Sequence, residues 1–482
     1  MDKIFKKLVR GTNFKNGPSS GIFVFRDGDK ESDSGVFDED FSVVNSSGED
    51  FNDYSPLDTF SALDSLTTDD KISERAKVIS KSINSKLNFD KTTPIQRYVI
   101  PIMMKGNDVV AVAPTGSGKT LSYLTPILLK NLEDSLSVII IVPTVELVQQ
   151  VKSEFIYLTG GEIFSIKALE KNMTEFNFSI AITTPLTLYT LLHNNALKTD
   201  LMRGLKCLVL DECDKLLEEG YGENIEYIMN LIKDFKGIQK ASFSSTLQSE
   251  VLLLSKSHFN NPIHITIGKE NVCCCNVEQE LICVTNDKGK LLILKQLIND
   301  GKLLPPILVF LQSINRVNDL YNELSQLNLN VQKFTKQLTL KQRQNIIQKF
   351  RIGQIWILLC TDILCRGINF KGVHSIVNYD LPLTPQVYIN RVGRAGRGTK
   401  RGKSVTFFTI NDFKILNHII QIMKLSKSNI PQYLLSLKPI HIQRLKKLEK
   451  KPPTRVNIGP IKKKKKFNKS KPTNTEHTTT DT

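Results

Sequence analysis

The chain alternates two kinds of apolar pattern. Short unbroken runs of Val, Ile and Leu predict interior strands near 108–113, 137–143 ("SVIIIVP"), 179–184, 205–211 ("LKCLVLD") and 239–245. The stretches between them read as helices. After a gap near 268–278 the alternation resumes, with strands at 305–312 ("PPILVFLQ"), 355–362 ("IWILLCTD"), 374–380 ("HSIVNYD") and 402–408 ("GKSVTFF"). Strands that are apolar at nearly every position have no solvent face, so each sheet should be parallel and covered by helices on both sides. Two consecutive α/β domains follow, over 71–268 and 278–438, joined by a linker over 269–277. Ligand groups are expected at the carboxyl ends of the strands.

Charge changes the picture at both ends. The formal net charge is +17, yet residues 27–70 hold fourteen acidic side chains against one lysine. Residues 439–471 hold thirteen Lys/Arg against one glutamate, with "KKKKK" at 462–466. These compositions predict a disordered acidic tail over 1–70 and a basic one over 439–482. The basic tail suits a polyanion partner or a nuclear-import signal, and composition alone also allows a merely solvated tail. No apolar run reaches about twenty residues, so no membrane span is expected, and the N-terminus lacks a signal-peptide core. Eight cysteines form no C-x-x-C pair, which fits free thiols in a reducing compartment better than zinc ligation.

The first candidate chemistry is "AVAPTGSGKT" at 111–120, between a strand and a helix. Gly116, Ser117 and Gly118 let the backbone curl, so that successive N–H groups form a phosphate cradle at a helix N-terminus. Ala113, Pro114 and Thr115 open the loop, with Ala113 where the P-loop pattern asks for glycine. Lys119 is placed to reach the β- and γ-phosphates, and the Thr120 hydroxyl to hold Mg²⁺. A glycine-rich turn without a ligand would share this composition, so the assignment needs the rest of an ATPase.

The second is "VLDECD" at 209–214, ninety-two residues after Lys119. An apolar strand ends in Asp211, positioned as a carboxylate for Mg²⁺ opposite the phosphate loop. Its neighbour Glu212 is placed to orient and deprotonate an attacking water.

With these two stretches in hand, the chain resembles the DEAD-box family of ATP-dependent RNA helicases, "DECD" being a variant of the family's signature. The resemblance covers about residues 85–425 and implies two RecA-like domains, ATP and Mg²⁺ as ligands, and RNA bound across both domains. "FDKTTPIQ" (89–96) resembles the family's adenine-reading motif, implying Gln96 on adenine, Thr93 and Lys91 nearby and Phe89 stacking. "PTVEL" (143–147), "GG" (160–161) and "TTPLTL" (183–188) resemble motifs that hold the RNA backbone, implying contacts from Pro143, Thr144, Gly160, Gly161, Thr184 and Pro185. Val145 and Thr187 stand where the family has arginine. "SST" (244–246) resembles the motif that links nucleotide state to domain closure.

In the second domain "CTDILCRGIN" (360–369) resembles a motif implying RNA contacts from Thr361, Arg366 and Gly367. Asn369 takes the place of a ribose-binding aspartate. In "VNYDLP" (377–382) the resemblance gives Asp380 a structural role as partner to arginines. "YINRVGRAGR" (388–397) puts Arg394 and Arg397 on the family's arginine-finger positions, and Asn390 where histidine is usual.

"ILVFLQS", "QRQNIIQKFRIGQIWILLCTD" and "RGINFKGVHSIVNYD" narrow the similarity to the Rok-type helicases of small-ribosomal-subunit assembly. That likeness implies a nuclear, nucleolar protein with a monomeric core. It would act with ribosome-assembly proteins on pre-rRNA in pre-ribosomal particles during 18S maturation. Asn369, Asn390, Val145, Thr187 and Ser245 keep open a second reading, a catalytically weak factor that binds ATP and RNA. A DNA-directed translocase is a third.

Overall fold

The computed structural model describes residues 41–44, 56–63, 74–87, 90–130, 136–160, 165–218, 220–268, 276–327, 329–362, 370, 372–396, 401–426, 428–435, 455 and 458. Its first sheet contains β1 (Phe41–Val44), β2 (Val109–Val112), β3 (Val138–Ile141), β4 (Ile166–Ala168), β5 (Ile180–Thr183), β6 (Cys207–Asp211), β7 (Gln239–Ser244) and β8 (Ile263–Ile267). They lie in the order β1-β8-β2-β7-β6-β3-β5-β4, parallel throughout except for β1 against β8. The second sheet contains β9 (Val277–Cys283), β10 (Ile307–Phe310), β11 (Val331–Phe334), β12 (Ile357–Cys360), β13 (Ser375–Asn378) and β14 (Gly402–Phe408). Its order is β11-β12-β10-β13-β14-β9, all parallel.

The unbroken apolar runs fill the interior of both sheets. Successive side chains of each strand enter opposite cores. Val138 and Ile140 pack into one cluster, and Ile139 and Ile141 into the other. Leu308 and Phe310 likewise separate from Ile307 and Val309. Burial on both faces leaves no position for a polar residue, and that is what the sequence pattern registers.

Besides β1, four strands escape the reading of unbroken runs: β4, β8, β9 and β11. Three of these lie at sheet edges and the fourth lies under β1. In β9 the burial alternates, with Glu278 exposed between buried Val277 and Gln279, and β4 is half exposed. A strand with one wet face alternates, so an apolar-run criterion passes over it.

The acidic stretch also departs from the expected tail. Phe41–Val44 adds an antiparallel strand to β8, in the register Phe41↔Ile267 to Val44↔His264. Leu57, Phe60 and Leu63 are buried in the core of the first lobe. Leu57 N–H donates to Arg97 O (3.0 Å), and Arg97 pairs with Asp58. Three apolar side chains spaced three apart gain more from burial, about 2 kcal/mol each, than flanking acids oppose. At the other end, Arg455 and Ile458 are buried against the second lobe. Apart from 41–44, 56–63, 455 and 458, the residues of both predicted tails lie outside the described ones.

Candidate functional site

Parallel strands deliver their following loops to one edge. Because β7 lies between β2 and β6, the loops after these three strands are neighbours, with Asp211 level with Phe243 and Phe243 level with Ala111. Phosphate loop, carboxylates and the 244–246 stretch therefore meet without any special folding of the loops.

After β2, Gly116 and Gly118 take left-handed φ of 85° and 94° before the Lys119–Leu129 helix begins. A side chain on Gly118 would run into the Gln96 amide. Gln96 itself is buried, donates from Nε2 to Gly118 O (3.2 Å) and accepts from Thr93 N–H (2.9 Å). The adenine-reading stretch is thus fastened to the phosphate loop. Lys119 Nζ donates to Ala113 O (2.6 Å) and Pro114 O (3.0 Å) at the mouth of the loop. Burial pulls its ammonium down to about 8, against the attraction of Asp211, Asp214 and Glu212. Ser117 Oγ is buried with no partner among the described residues. A left-handed glycine turn at a helix N-terminus, with one cation and an unpaired hydroxyl, fits a phosphate chain.

Asp211 ends β6 buried. Burial, reinforced by Glu212, pushes its carboxyl up to about 6, although Tyr123 OH donates to it at 2.8 Å and Lys119 attracts it. Glu212 holds a left-handed φ of 53°, uncommon for a residue with a side chain, and pairs with Lys215. Asp214 accepts from Ser245 Oγ (2.6 Å) and Thr246 Oγ1 (3.1 Å), which ties the carboxylate stretch to the end of β7. Tyr123, which donates to Asp211, also hydrogen-bonds Thr120, so the two residues share one neighbour and could together offer oxygens to a hard cation such as Mg²⁺; a raised carboxyl is what such a cation would relieve.

The second lobe meets this edge beside the phosphate loop and beside the end of β7. Thr115 Oγ1 donates to Gly393 O (3.4 Å), and a Cβ on Gly393 would stand 2.5 Å from that hydroxyl, so the approach needs glycine. Ser245 Oγ lies 3.4 Å from Asn390 Oδ1. Both contacts come from the Pro385–Val392 helix and its end, which carry Arg391 and Arg394. Arg391 grips Asp362 with Nε and Nη2 (2.5 and 2.7 Å) and donates from Nη1 to Asp380 O (2.8 Å). Arg394 is buried, with Nε on Asn390 O (3.2 Å).

Thr144 and Thr184 end up as N-caps of the Val145–Thr159 and Pro185–His193 helices, accepting from Leu147 N–H (3.3 Å) and Thr187 N–H (3.4 Å). Both helices start where β3 and β5 end, so their positive ends share the edge used by the phosphate loop. Pro143 and Pro185 are buried, while Gly160 closes the first of these helices with φ 80°. Val145 is 45% exposed; Thr187 is buried and bonded to Thr184 Oγ1 at 3.0 Å. Glu146 reaches across to pair with Arg343 of the second lobe. Lys91 is exposed and bridges to Thr59, and Thr361 is half-buried at the end of β12. Phe89, Gly161, Arg366, Gly367, Asn369 and Arg397 lie outside the described residues.

Sequence reasoning missed Tyr123, Lys215, the pairing of Asp362, itself part of the 360–369 motif, with Arg391, and that of Glu146 with Arg343. Helical spacing could have found the first two, four residues after Lys119 and three after Glu212. The others depend on how distant segments meet.

Two parallel lobes with a phosphate cradle and strand-end carboxylates in the first, and buried arginines of the second at its rim, define a two-lobed P-loop nucleotide-binding protein. The DEAD/DEAH box helicase profile matches residues 93–254, and the helicase conserved C-terminal domain profile matches residues 289–399. The chain is 36% identical to "Probable ATP-dependent RNA helicase DDX52" of Mus musculus over 82% of this chain and 68% of the relative. It is 36% identical to "ATP-dependent RNA helicase ROK1" of Kluyveromyces lactis, over 75% of this chain and 65% of the relative. With "Probable ATP-dependent RNA helicase ddx52" of Dictyostelium discoideum it shares 39%, over 78% of this chain and 57% of the relative. It thus spans somewhat over half to two thirds of the length of these last two. Among solved structures, S. cerevisiae Dbp5 bound to RNA and ADP BeF3 shares the fold, with a TM-score of 0.64 at 22% identity over 80% of this chain and 98% of that one. The chain belongs to the DEAD/DEAH box helicase family.

Proposed function

We propose that the chain is an RNA-stimulated ATP hydrolase that locally unwinds RNA. The observation that carries this is the convergence of Gly118, Lys119, Asp211 and Glu212 with the Asn390–Arg394 turn at one inter-lobe edge. In this reading Thr120 and Asp211 hold Mg²⁺, and Gln96 with Thr93, Lys91 and Phe89 reads adenine. Residues 113–120 cradle the phosphates, and Asn369 faces the ribose. Glu212 activates water, and Arg394 and Arg397 steady the charge that develops on the transferred phosphoryl group. RNA lies along Pro143, Thr144, Gly160, Gly161, Thr184, Pro185, Thr361, Arg366 and Gly367. Contacts to phosphates and 2′-hydroxyls make its choice of sequence weak. Closure bends a strand that then cannot stay paired, and hydrolysis lets it go.

The names of the relatives support a role like theirs, which we read as remodelling pre-rRNA for 18S maturation in the nucleolus. Among the described residues no helix is long and apolar enough to cross a membrane. A second reading, an ATP- and RNA-binding assembly factor with little turnover, is favoured by one observation. Thr187 is buried as part of a helix cap, and exposed Val145 carries no charge, so two cationic contacts are missing. Steady-state ATPase with RNA, with DNA and with neither separates the readings. RNA-specific stimulation is expected, and no turnover at any RNA concentration would leave the assembly factor.

A further inference from the structure

The profile of the second helicase domain ends at residue 399, yet an arginine far beyond it enters a buried charge cluster of that lobe. Asp380, fully buried, accepts from Arg316 Nε and Nη2 (both 2.7 Å) and from Gln312 N–H (3.0 Å), with Lys290 Nζ at 3.5 Å. Asp287 takes Arg316 Nη2 at 3.0 Å and Lys290 at 3.2 Å. Arg455 completes the cluster. Its Nη2 donates to Asp412 Oδ1 (2.8 Å), its Nε donates to Gln312 Oε1 (3.0 Å), and it stands 3.7 Å from Asp380. Its side chain is only 7% exposed. Three residues on, Ile458 is buried in the apolar cluster that holds Leu311, Tyr379 and Phe407.

Three carboxylates, Asp287, Asp380 and Asp412, face three cations, Lys290, Arg316 and Arg455. Without Arg455 the buried cluster carries an uncompensated negative charge, a state that proteins avoid. A merely solvated tail does not place a guanidinium fork on a buried carboxylate and an amide at once; the fork is a fitted ligand. The cluster also touches the site. The main-chain oxygen of Asp380 receives Arg391 Nη1, and Arg391 fixes Asp362, three residues ahead of Arg394 in its own helix turn.

We propose that Arg455 and Ile458 form a clasp integral to the second lobe, with Arg455 a positioning residue. It holds Asp380, and through it the Arg391–Asp362 pair, in the geometry that presents the neighbouring Arg394 to the nucleotide. The clasp itself is independent of the proposed ATPase activity; the positioning role rests on it.

The test uses full-length chains carrying Arg455→Ala, Asp412→Asn, both together, and Arg455→Lys. In thermal unfolding each of the first two lowers the midpoint of the second lobe by about 5 °C. The double variant falls no lower than the worse single one, because both remove the same bond. Arg455→Lys recovers less than half of the loss, since a point charge cannot serve Asp412 and Gln312 together. Fully additive shifts, or no shift in Arg455→Ala, overturn the clasp. In RNA-stimulated ATPase at 20 °C, where every variant is folded, Arg455→Ala lowers kcat about tenfold with half-saturating ATP within about twofold. Coupled unfolding with unchanged kcat overturns the positioning role and leaves a clasp only. A wild-type chain without turnover counts against the proposed activity, and the unfolding cycle then decides the clasp alone.

Discussion

Asp211 ends β6 and Asp380 follows β13 by two residues, so each stands at or just beyond the carboxyl end of a central parallel strand, and both are buried. Their surroundings treat them in opposite ways. Burial and Glu212 push Asp211 up to about 6, with the Tyr123 hydroxyl and Lys119 as incomplete relief. Burial would raise Asp380 too, but hydrogen bonds from Arg316 and the charges of Lys290 and Arg455 hold it below the ordinary carboxylate value. One carboxylate is left under-served and the other is saturated. An under-served carboxylate beside a lysine pulled down to about 8 has room for a further charged partner. The saturated one has none, and acts as framework. The same fold thus separates chemistry from structure by how many cations it supplies at a strand end.

The sharpest break of that contrast is Glu212→Gln. The amide keeps the shape beside Asp211 and loses only the base, so turnover should fall by about 10³-fold. ATP and RNA binding should persist, and Lys119→Ala should lose nucleotide binding instead. Equilibrium binding of a fluorescent nucleotide alongside a phosphate-release assay distinguishes the two, and full activity in Glu212→Gln would sink the assignment.

The framework carboxylate answers in a different quantity. Asp380→Asn leaves Arg316 and Lys290 facing an uncharged amide in a buried site, and should destabilise the second lobe by about 3 kcal/mol. Because the folded Asp380 is held below its unfolded pKa of about 3.9, its contribution is fully present above that value. It is lost as pH falls through the folded value. Urea unfolding between pH 7 and pH 2.5 should therefore show a steeper acid loss in the wild type than in Asp380→Asn. Parallel curves would mean that the cluster is not charged as drawn.

How much of this was legible follows from the same division. The strand-end chemistry of the first lobe is contiguous in sequence, in "PTGSGKT" and "DECD", because a single loop supplies each part of it. The central strands are legible because burial on both faces leaves a run of Val, Ile and Leu. What joins distant segments is not. Asp380 meets Arg316 across 64 residues and Gln312 meets Arg455 across 143, and neither distance leaves a local pattern. Composition misleads where it averages. Leu57, Phe60 and Leu63 sit in an acidic stretch, and Arg455 in a basic one, yet each is buried by its own fit.

A smaller effect tests the meeting of the lobes. Gly393 has a φ of −65°, which any residue adopts, so Gly393→Ala brings no φ strain; its methyl would meet Thr115 Oγ1 of the other lobe at 2.5 Å, with Ile389 O of its own helix, at 3.2 Å, the lesser contact. Closure should weaken, with RNA-stimulated kcat down about tenfold, since an ångström of misplacement is felt at the chemical step. The unfolding midpoint should hold. Thr115→Ala in the same chain should return part of the activity by removing the obstructing hydroxyl. Loss of both midpoint and activity would instead place the fault inside the second lobe.

The smallest expected effect concerns Asn390, where the family resemblance would put histidine. Its Oδ1 is 3.4 Å from Ser245 Oγ, a long contact, while that hydroxyl is already committed to Asp214 at 2.6 Å. The asparagine therefore adds little to the joint between the lobes. Asn390→His offers a longer ring with a donor, able to reach the Asp214–Ser245 pair without displacing it. One added hydrogen bond of about 1 kcal/mol corresponds to about a fivefold fall in half-saturating ATP when RNA is present. In the absence of RNA, where closure is not driven, the value should stay within about twofold. Steady-state titrations of ATP with and without RNA give both numbers. An equal gain under the two conditions would place the new bond within the open lobe rather than across the joint, and no gain would show that the asparagine already serves the closed state.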